Sequence, residues 1–329
     1  MLEYKELKLL LALVLFLPLL AIFVWLAVSP VDLSAGTVPA LAKLTVSVVV
    51  LFAVSVWIRH RLRDDEDRVA IGLKRVCKAF HLICYATLPL TMSNFYMLAG
   101  SYLGADYAPP IIDPLLAHFS FAIGFDWVAT VSWMNASPLV AQSLTWAYWS
   151  TLVQTPLLIF VLAALGRADR LLEYISLYAL TGFVTVLIAI FYPALGAYPF
   201  YQPDFSVFSN FGAGTGVYHM LEVEALRGPG AAPVNLVEPK GIVTFPSFHT
   251  VLAIIATWSM RDIKYVFKPL LVLNVWVIVS TIPVGGHFLV DLPAGAVLAA
   301  AAIWLTARLM SPKPSDVRKP AAVPMPQQA

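Results

Sequence analysis

Two histidines and an aspartate are the residues of this sequence best suited to chemistry. His287 follows Gly285-Gly286, and Asp291 stands four residues further on. On a helix that spacing puts the two side chains on one face, where they meet. His249 closes the stretch Phe245-Pro246-Ser247-Phe248-His249. A carboxylate fixes an imidazole in one tautomer and stabilises positive charge on it, which leaves the other ring nitrogen free to attack an electrophile. A second imidazole can protonate a leaving oxygen and later take a proton from an acceptor. Both histidines stand at the start of apolar runs, and a helix N-terminus presents free N–H groups and a favourable dipole to an anion. Phosphate is the anion that suits such a cradle. The expected roles are therefore His287 as nucleophile, Asp291 as its orienting partner and His249 as acid and base. Ser247 and the backbone around Gly286 would bind phosphate oxygens. A lone His-x-x-x-Asp, or a lone Phe-Pro-Ser, reads as ordinary structure; occurring together on one side of a membrane, they favour catalysis. Two histidines and an aspartate also suit zinc, but no HExxH-like pairing is present, and no metal or other cofactor is expected.

These side chains need elements to hold them, and the composition says what those elements are. Of 329 residues, 60% are hydrophobic and 12% charged, with mean hydropathy +0.81. A soluble domain carries about twice that share of charge. The net charge of +2 leaves no basic face for nucleic acid. The expectation is an all-α, polytopic membrane helix bundle. Apolar stretches long enough to cross a bilayer lie near 9–28, 39–58, 82–103, 138–164, 172–193, 246–260, 265–283 and 288–309. The first, from Leu9 to Val28, is too long for a signal-peptide core and reads as a retained span. Of the 21 Lys and Arg, all but Lys43, Arg227 and Lys240 fall on one alternating set of connections. That asymmetry places both termini in the cytoplasm and the two histidine motifs on the opposite side. Residues 104–137 are apolar and aromatic but interrupted by Asp106, Asp113 and Asp126, which suggests an extracytoplasmic amphipathic or re-entrant helical pair. Residues 1–310 are expected to form one transmembrane domain with its catalytic core over about 172–310. Residues 311–329, with five prolines, read as a disordered cytoplasmic tail. Cys77 and Cys84 are too few for a disulfide framework and read as free thiols.

Phe245-Pro246-Ser247-Phe248-His249 resembles the Pro-Ser-x-His motif of the type 2 phosphatidic acid phosphatase superfamily. Gly286-His287-Phe288-Leu289-Val290-Asp291, with Gly295, resembles its His-x-x-x-Asp motif. The Phe-Pro-Ser and Val-Asp-x-x-Ala-Gly forms look most like the inositolphosphotransferase branch, which holds the inositol phosphorylceramide synthases. The resemblance is strongest over about 240–300. It is looser over 110–200, where Asp113, Gly124-Phe125-Asp126-Trp127 and Pro193-Ala194-Leu195-Gly196 look family-like. It implies a metal-free phosphohistidine mechanism with His287 as nucleophile and His249 as acid and base. The superfamily's Lys-x6-Arg-Pro has no counterpart, because no Arg-Pro pair occurs here, and Ser280-Thr281 stands where Ser-Arg is usual. Arg227 and Lys240 are the natural substitutes for those phosphate-binding cations.

The expected activity is phosphoester transfer from a phospholipid or lipid phosphate at the extracytoplasmic face, with a lipid hydroxyl or water as acceptor. Head-group transfer is favoured over phosphatase action. A bacterial inner membrane is the expected location. A transporter or non-catalytic lipid-binding protein is the rival from another class, but transporters place their polar groups near the midplane, whereas these candidates lie at one interface.

Overall fold

The computed structural model describes residues 4–28, 36–204, 208–212, 214–228, 241 and 243–311. The expected tail from 312 onward and Lys240 lie outside them. The described residues are all-helical. Six helices are long and apolar enough to cross a membrane. They fall in α1 (Lys5–Val28), α2 (Thr37–Arg61), α3 (Arg68–Tyr107), α6 (Pro138–Ala164), α7 (Ala168–Phe191) and α12 (Asp291–Met310). Two further helices coincide with the remaining expected spans, α10 (Phe248–Ser259) and α11 (Lys264–Ser280). At 12 residues α10 is only about 18 Å long, well short of the roughly 30 Å hydrocarbon core. The eight spans read from hydropathy are thus eight helices, of which six meet the length and composition for crossing.

The segment 104–137 holds α4 (Asp113–Ala122) and α5 (Trp127–Asn135), bent by 80° at their junction. Asp126 caps α5, its carboxylate accepting from the Ala129 N–H at 2.9 Å, which fixes where the chain turns. Two short helices, α8 (Ala197–Tyr201) and α9 (Met220–Arg227), complete the same end of the molecule.

Two helix boundaries differ from the hydropathy reading. The third span was expected to start near 82, but α3 begins at Arg68, where the Asp67 carboxylate accepts from the Ala70 N–H at 2.6 Å. Much of the basic connection is therefore the first turns of a 40-residue helix: Lys and Arg are good helix formers, and the cap sets the start. The eighth span was expected from 288, yet α12 begins at Asp291, leaving His287 in the preceding turn.

The core is organised around α7, which packs against α3, α1, α10, α12 and α6. Its apolar window is 61% buried, against 11–39% for the other spans. Close approach of α3 and α7 rests on glycines: a Cβ on Gly104 would lie 3.0 Å from the Ile190 Cα, and one on Gly100 would overlap the Val186 side chain. Small residues allow such contacts where lipid offers no hydrophobic drive between helices. The Tyr96 hydroxyl donates across the same interface to the Ala179 carbonyl. Cys77 and Cys84 are both free and buried on α3.

At the other end of α7 and α10 lies a charged cluster. The Glu173 carboxylate, 1% exposed, accepts from Arg170 at 2.9 Å, from Arg261 at 2.9 and 3.0 Å, and from the Trp258 indole at 2.9 Å. Asp262, between α10 and α11, takes Arg167 and Arg170; those guanidinium groups hold its carboxyl below the usual range.

Candidate active site

Ser247 caps α10, its hydroxyl accepting from the Thr250 N–H at 3.3 Å and the Thr250 hydroxyl at 3.1 Å. The Ser247 N–H donates to the Asp291 carbonyl at 3.1 Å, so the starts of α10 and α12 are tied together. Gly295 makes the approach possible, since a Cβ there would stand 2.5 Å from the Ser247 carbonyl oxygen.

The turn before α12 delivers His287. Its Nδ1 lies 3.1 Å from Asp291 Oδ2, which also accepts from the Phe288 N–H at 2.9 Å. The pair meets as expected from its spacing, but through a turn that leads into a helix and not along one helix face. Asp291 is fully buried, and its other oxygen has no hydrogen-bond partner among the described residues. On the far side of the ring, His287 Nε2 lies 3.4 Å from the Ser247 hydroxyl. With the proton on Nδ1 facing the carboxylate, Nε2 carries the lone pair and Ser247 donates to it. Burial pushes the His287 imidazole from its ordinary 6.5 down to about 4, so the neutral ring prevails at pH 7.

This turn is held from outside by α4, α5 and the segment that leads into α8. The Trp127 indole of α5 donates to the His287 carbonyl at 3.0 Å. The Ala197 N–H donates to the Gly286 carbonyl at 2.7 Å, and the Tyr198 hydroxyl to the Pro283 carbonyl at 2.7 Å. Asp113, buried at the start of α4, accepts from the Leu195 and Gly196 N–H groups at 2.9 and 2.7 Å and so fixes the loop carrying Ala197. Gly286 has φ +68°, a left-handed conformation that costs other residues energy, and a Cβ there would press on Tyr198.

His249 lies in the first turn of α10, stacked on the Tyr148 ring of α6 with centroids 4.2 Å apart. Both histidines line one cavity of about 560 Å³. It is walled by α3, α6, α7 and α10, with Leu44 of α2, Gly285, Thr244 and Tyr218 completing it. Its lining is apolar or neutral-polar, with no Lys, Arg, Asp or Glu among the described residues. Ser247 and Asp291, which flank the His287 ring at its two nitrogens, are fully buried and outside the lining.

Of the two expected cation substitutes, Arg227 does not line this cavity. Arg227 donates to the Pro109 carbonyl at 2.9 Å and borders a separate crevice of about 20 Å³ behind Thr244 and Leu195. Lys240, next to the cavity-lining Gly241, is outside the described residues.

The structure adds His219 to the cavity wall. Its Nε2 lies 2.9 Å from the Leu195 carbonyl, and burial lowers its basicity, so it is a neutral ring with Nε2 donating. No local motif marks His219 in the sequence, because its neighbours there do not share the site. The only cue was that it is a histidine on the same loop-rich side.

A family model described as the PAP2 superfamily matches residues 115–305, which contain Ser247, His249, His287, Asp291 and the bracing Trp127, but not Asp113 or the α3 wall of the cavity. No curated protein and no solved structure matches the chain.

Proposed function

Because the chain belongs to the PAP2 superfamily, we propose that it transfers a phospho-head-group between lipids at the extracytoplasmic face, through His287. Membership makes it a phosphatase or phosphotransferase with lipid-like phosphoester substrates, and its long apolar helices make it an integral membrane protein. The observation that carries the proposed mechanism is the His287–Asp291 pair, at 3.1 Å, opening on a cavity that His249 also lines.

His287 Nε2 attacks phosphorus as the bond from phosphorus to the lipid alkoxide breaks. His249 gives its proton to that oxygen, releasing the lipid alcohol. Asp291 stabilises the positive charge that forms on His287. The Ser247 hydroxyl, already beside Nε2, moves its hydrogen bond to a phosphate oxygen. An acceptor hydroxyl then attacks phosphorus, His249 takes its proton, and the P–N bond breaks. The roles of Gly286, Arg227 and Lys240 as phosphate ligands belong to the same proposal. Arg227 acts in it only if its bond to Pro109 opens. Head-group transfer is supported by the neutral lining, which suits a singly charged phosphodiester better than a doubly charged monoester. Phosphatase action on a lipid phosphate is the second reading, favoured by the superfamily's breadth. We place the protein in a bacterial inner membrane.

The test is product analysis. The purified protein and its His287→Ala variant are incubated with head-group-labelled phospholipids and lipid phosphates in EDTA. Label on a new lipid that is absent with the variant is the expected result. Free phosphate from lipid phosphates would shift the assignment to phosphatase, and full turnover by the variant would remove His287 as nucleophile.

A further inference from the structure

The cavity does not end at the histidines. Along α3 it is lined by Thr91, Asn94, Leu98 and Ser101. These residues share one helix face, and Thr91 to Ser101 spans about 15 Å of helix axis. Ser101 is at the histidine end, with Thr244. From there the walls become largely hydrocarbon, with Phe95, Leu152 and Leu252, as an alkyl chain requires. One polar group interrupts them. The Tyr178 hydroxyl of α7 donates to Asn94 Oδ1 at 2.7 Å. Tyr178 is buried, and its ring packs edge-on against Phe248, centroids 5.7 Å apart, next to His249. The Tyr178–Asn94 rung therefore lies beside the first turn of α10, where the head-group end of the cavity gives way to its hydrocarbon end.

Tyr178 occupies the amide oxygen of Asn94, so the NH₂ is what the side chain presents to the cavity. That NH₂ has no partner among the described residues, and Asn94 is exposed in the cavity wall. A hydrogen-bond donor in an apolar channel is costly unless a ligand acceptor meets it. We propose that Asn94 is a specificity-determining residue that donates to the acyl carbonyl of the lipid substrate, so that the preferred substrates are ester- or amide-linked acyl lipids. In both classes the carbonyl stands a few bonds from the phosphoester oxygen, at the head of the chain. Polyprenyl phospholipids have no acceptor there, and ether-linked ones have only an ether oxygen, a weaker acceptor than a carbonyl. This inference rests on the phosphotransfer reading of the same site.

The test compares a diacyl phospholipid with its dialkyl-ether analogue, identical in head group and chain length, on the purified full-length protein. The wild type is expected to favour the diacyl lipid in kcat/KM by about tenfold, the size of one net hydrogen bond in a site built for it. Asn94→Leu should bring that ratio close to one. Tyr178→Phe, which frees the amide to rotate, should bring it between the two. The ratio is internal to each variant, so a general loss of activity does not mimic the effect. Equal turnover of the two lipids by the wild type, or an unchanged ratio in Asn94→Leu, overturns the inference and leaves phosphotransfer standing. Turnover of neither lipid, nor of any lipid phosphate, overturns the phosphotransfer reading and the inference with it.

Discussion

At the scale of single residues, the site is a short relay in which each group fixes the next. Thr250 donates twice to the Ser247 hydroxyl, which is left with its own proton for His287 Nε2, while Asp291 holds Nδ1. Asp291→Asn keeps the shape but removes the charge that stabilises an imidazolium. It is expected to lower kcat by about 10²–10⁴-fold with little change in KM, checked by steady-state kinetics beside a thermal melt. An unchanged kcat would mean that Asp291 only braces the turn. The pH dependence follows from burial, which lowers the His287 imidazole to about 4. Its nucleophilic, neutral form therefore persists well below the 6.5 of an exposed histidine. With a phosphodiester donor, which does not titrate in this range, the acid limb of kcat/KM should have its midpoint below pH 6.5. A midpoint at or above that value would contradict the burial argument. The same shift has a sign for stability. Between pH 6.5 and 4 the unfolded chain holds the extra proton, so stability falls as pH drops through that window.

At the scale of elements, catalysis depends on how closely the starts of α10 and α12 approach. They are joined by the Ser247 N–H to Asp291 carbonyl bond, and only a residue without a Cβ fits at 295. Gly295→Ala would drive the two helix starts apart and move Ser247 away from His287. A displacement near 1 Å can cost about 10²-fold in rate, so kcat should fall by about that factor although no reacting group is altered. A wild-type kcat in this variant would show that the approach is not needed for turnover. The bent α4–α5 pair acts on the same turn from the opposite side, through Trp127 on the His287 carbonyl and Asp113 on the Leu195–Gly196 amides. Asp113 and the run ending in Trp127 stood out in the sequence as family-like. Their task could not be read there, because each acts across a separation of more than 80 residues.

At the scale of the whole molecule, the reactive end and the ion-pair end lie at opposite ends of α7 and α10. Twelve residues of α10 put about 18 Å between them. Glu173→Ala removes a buried carboxylate, leaves the Trp258 indole without its acceptor and leaves Arg261 with only the Trp258 carbonyl. It is expected to destabilise the protein by about 2–3 kcal/mol while kcat at low temperature stays near wild type. A thermal midpoint in detergent, read beside kcat, checks both; an unshifted midpoint would mean that the cluster is solvated and idle. Much of this molecule follows from its sequence alone. Hydropathy over windows of about 20 residues marks the helices, because an apolar run of that length has to be helical in lipid. The spacing of His287 and Asp291 foretold their contact, because four residues bridge so short a distance in a turn as well as in a helix. Tertiary structure decided what local spacing cannot carry. It set His287 in a turn and not on a helix, and drew Arg227 onto the Pro109 carbonyl, away from the cavity. It also brought His219 and Asn94 into the cavity wall, two residues more than a hundred positions apart with no motif around either. Side chains distant in the chain share a cavity only once helices pack, and that packing rests on contacts such as Gly104 on Ile190 and Gly295 on Ser247, whose partners no local pattern names.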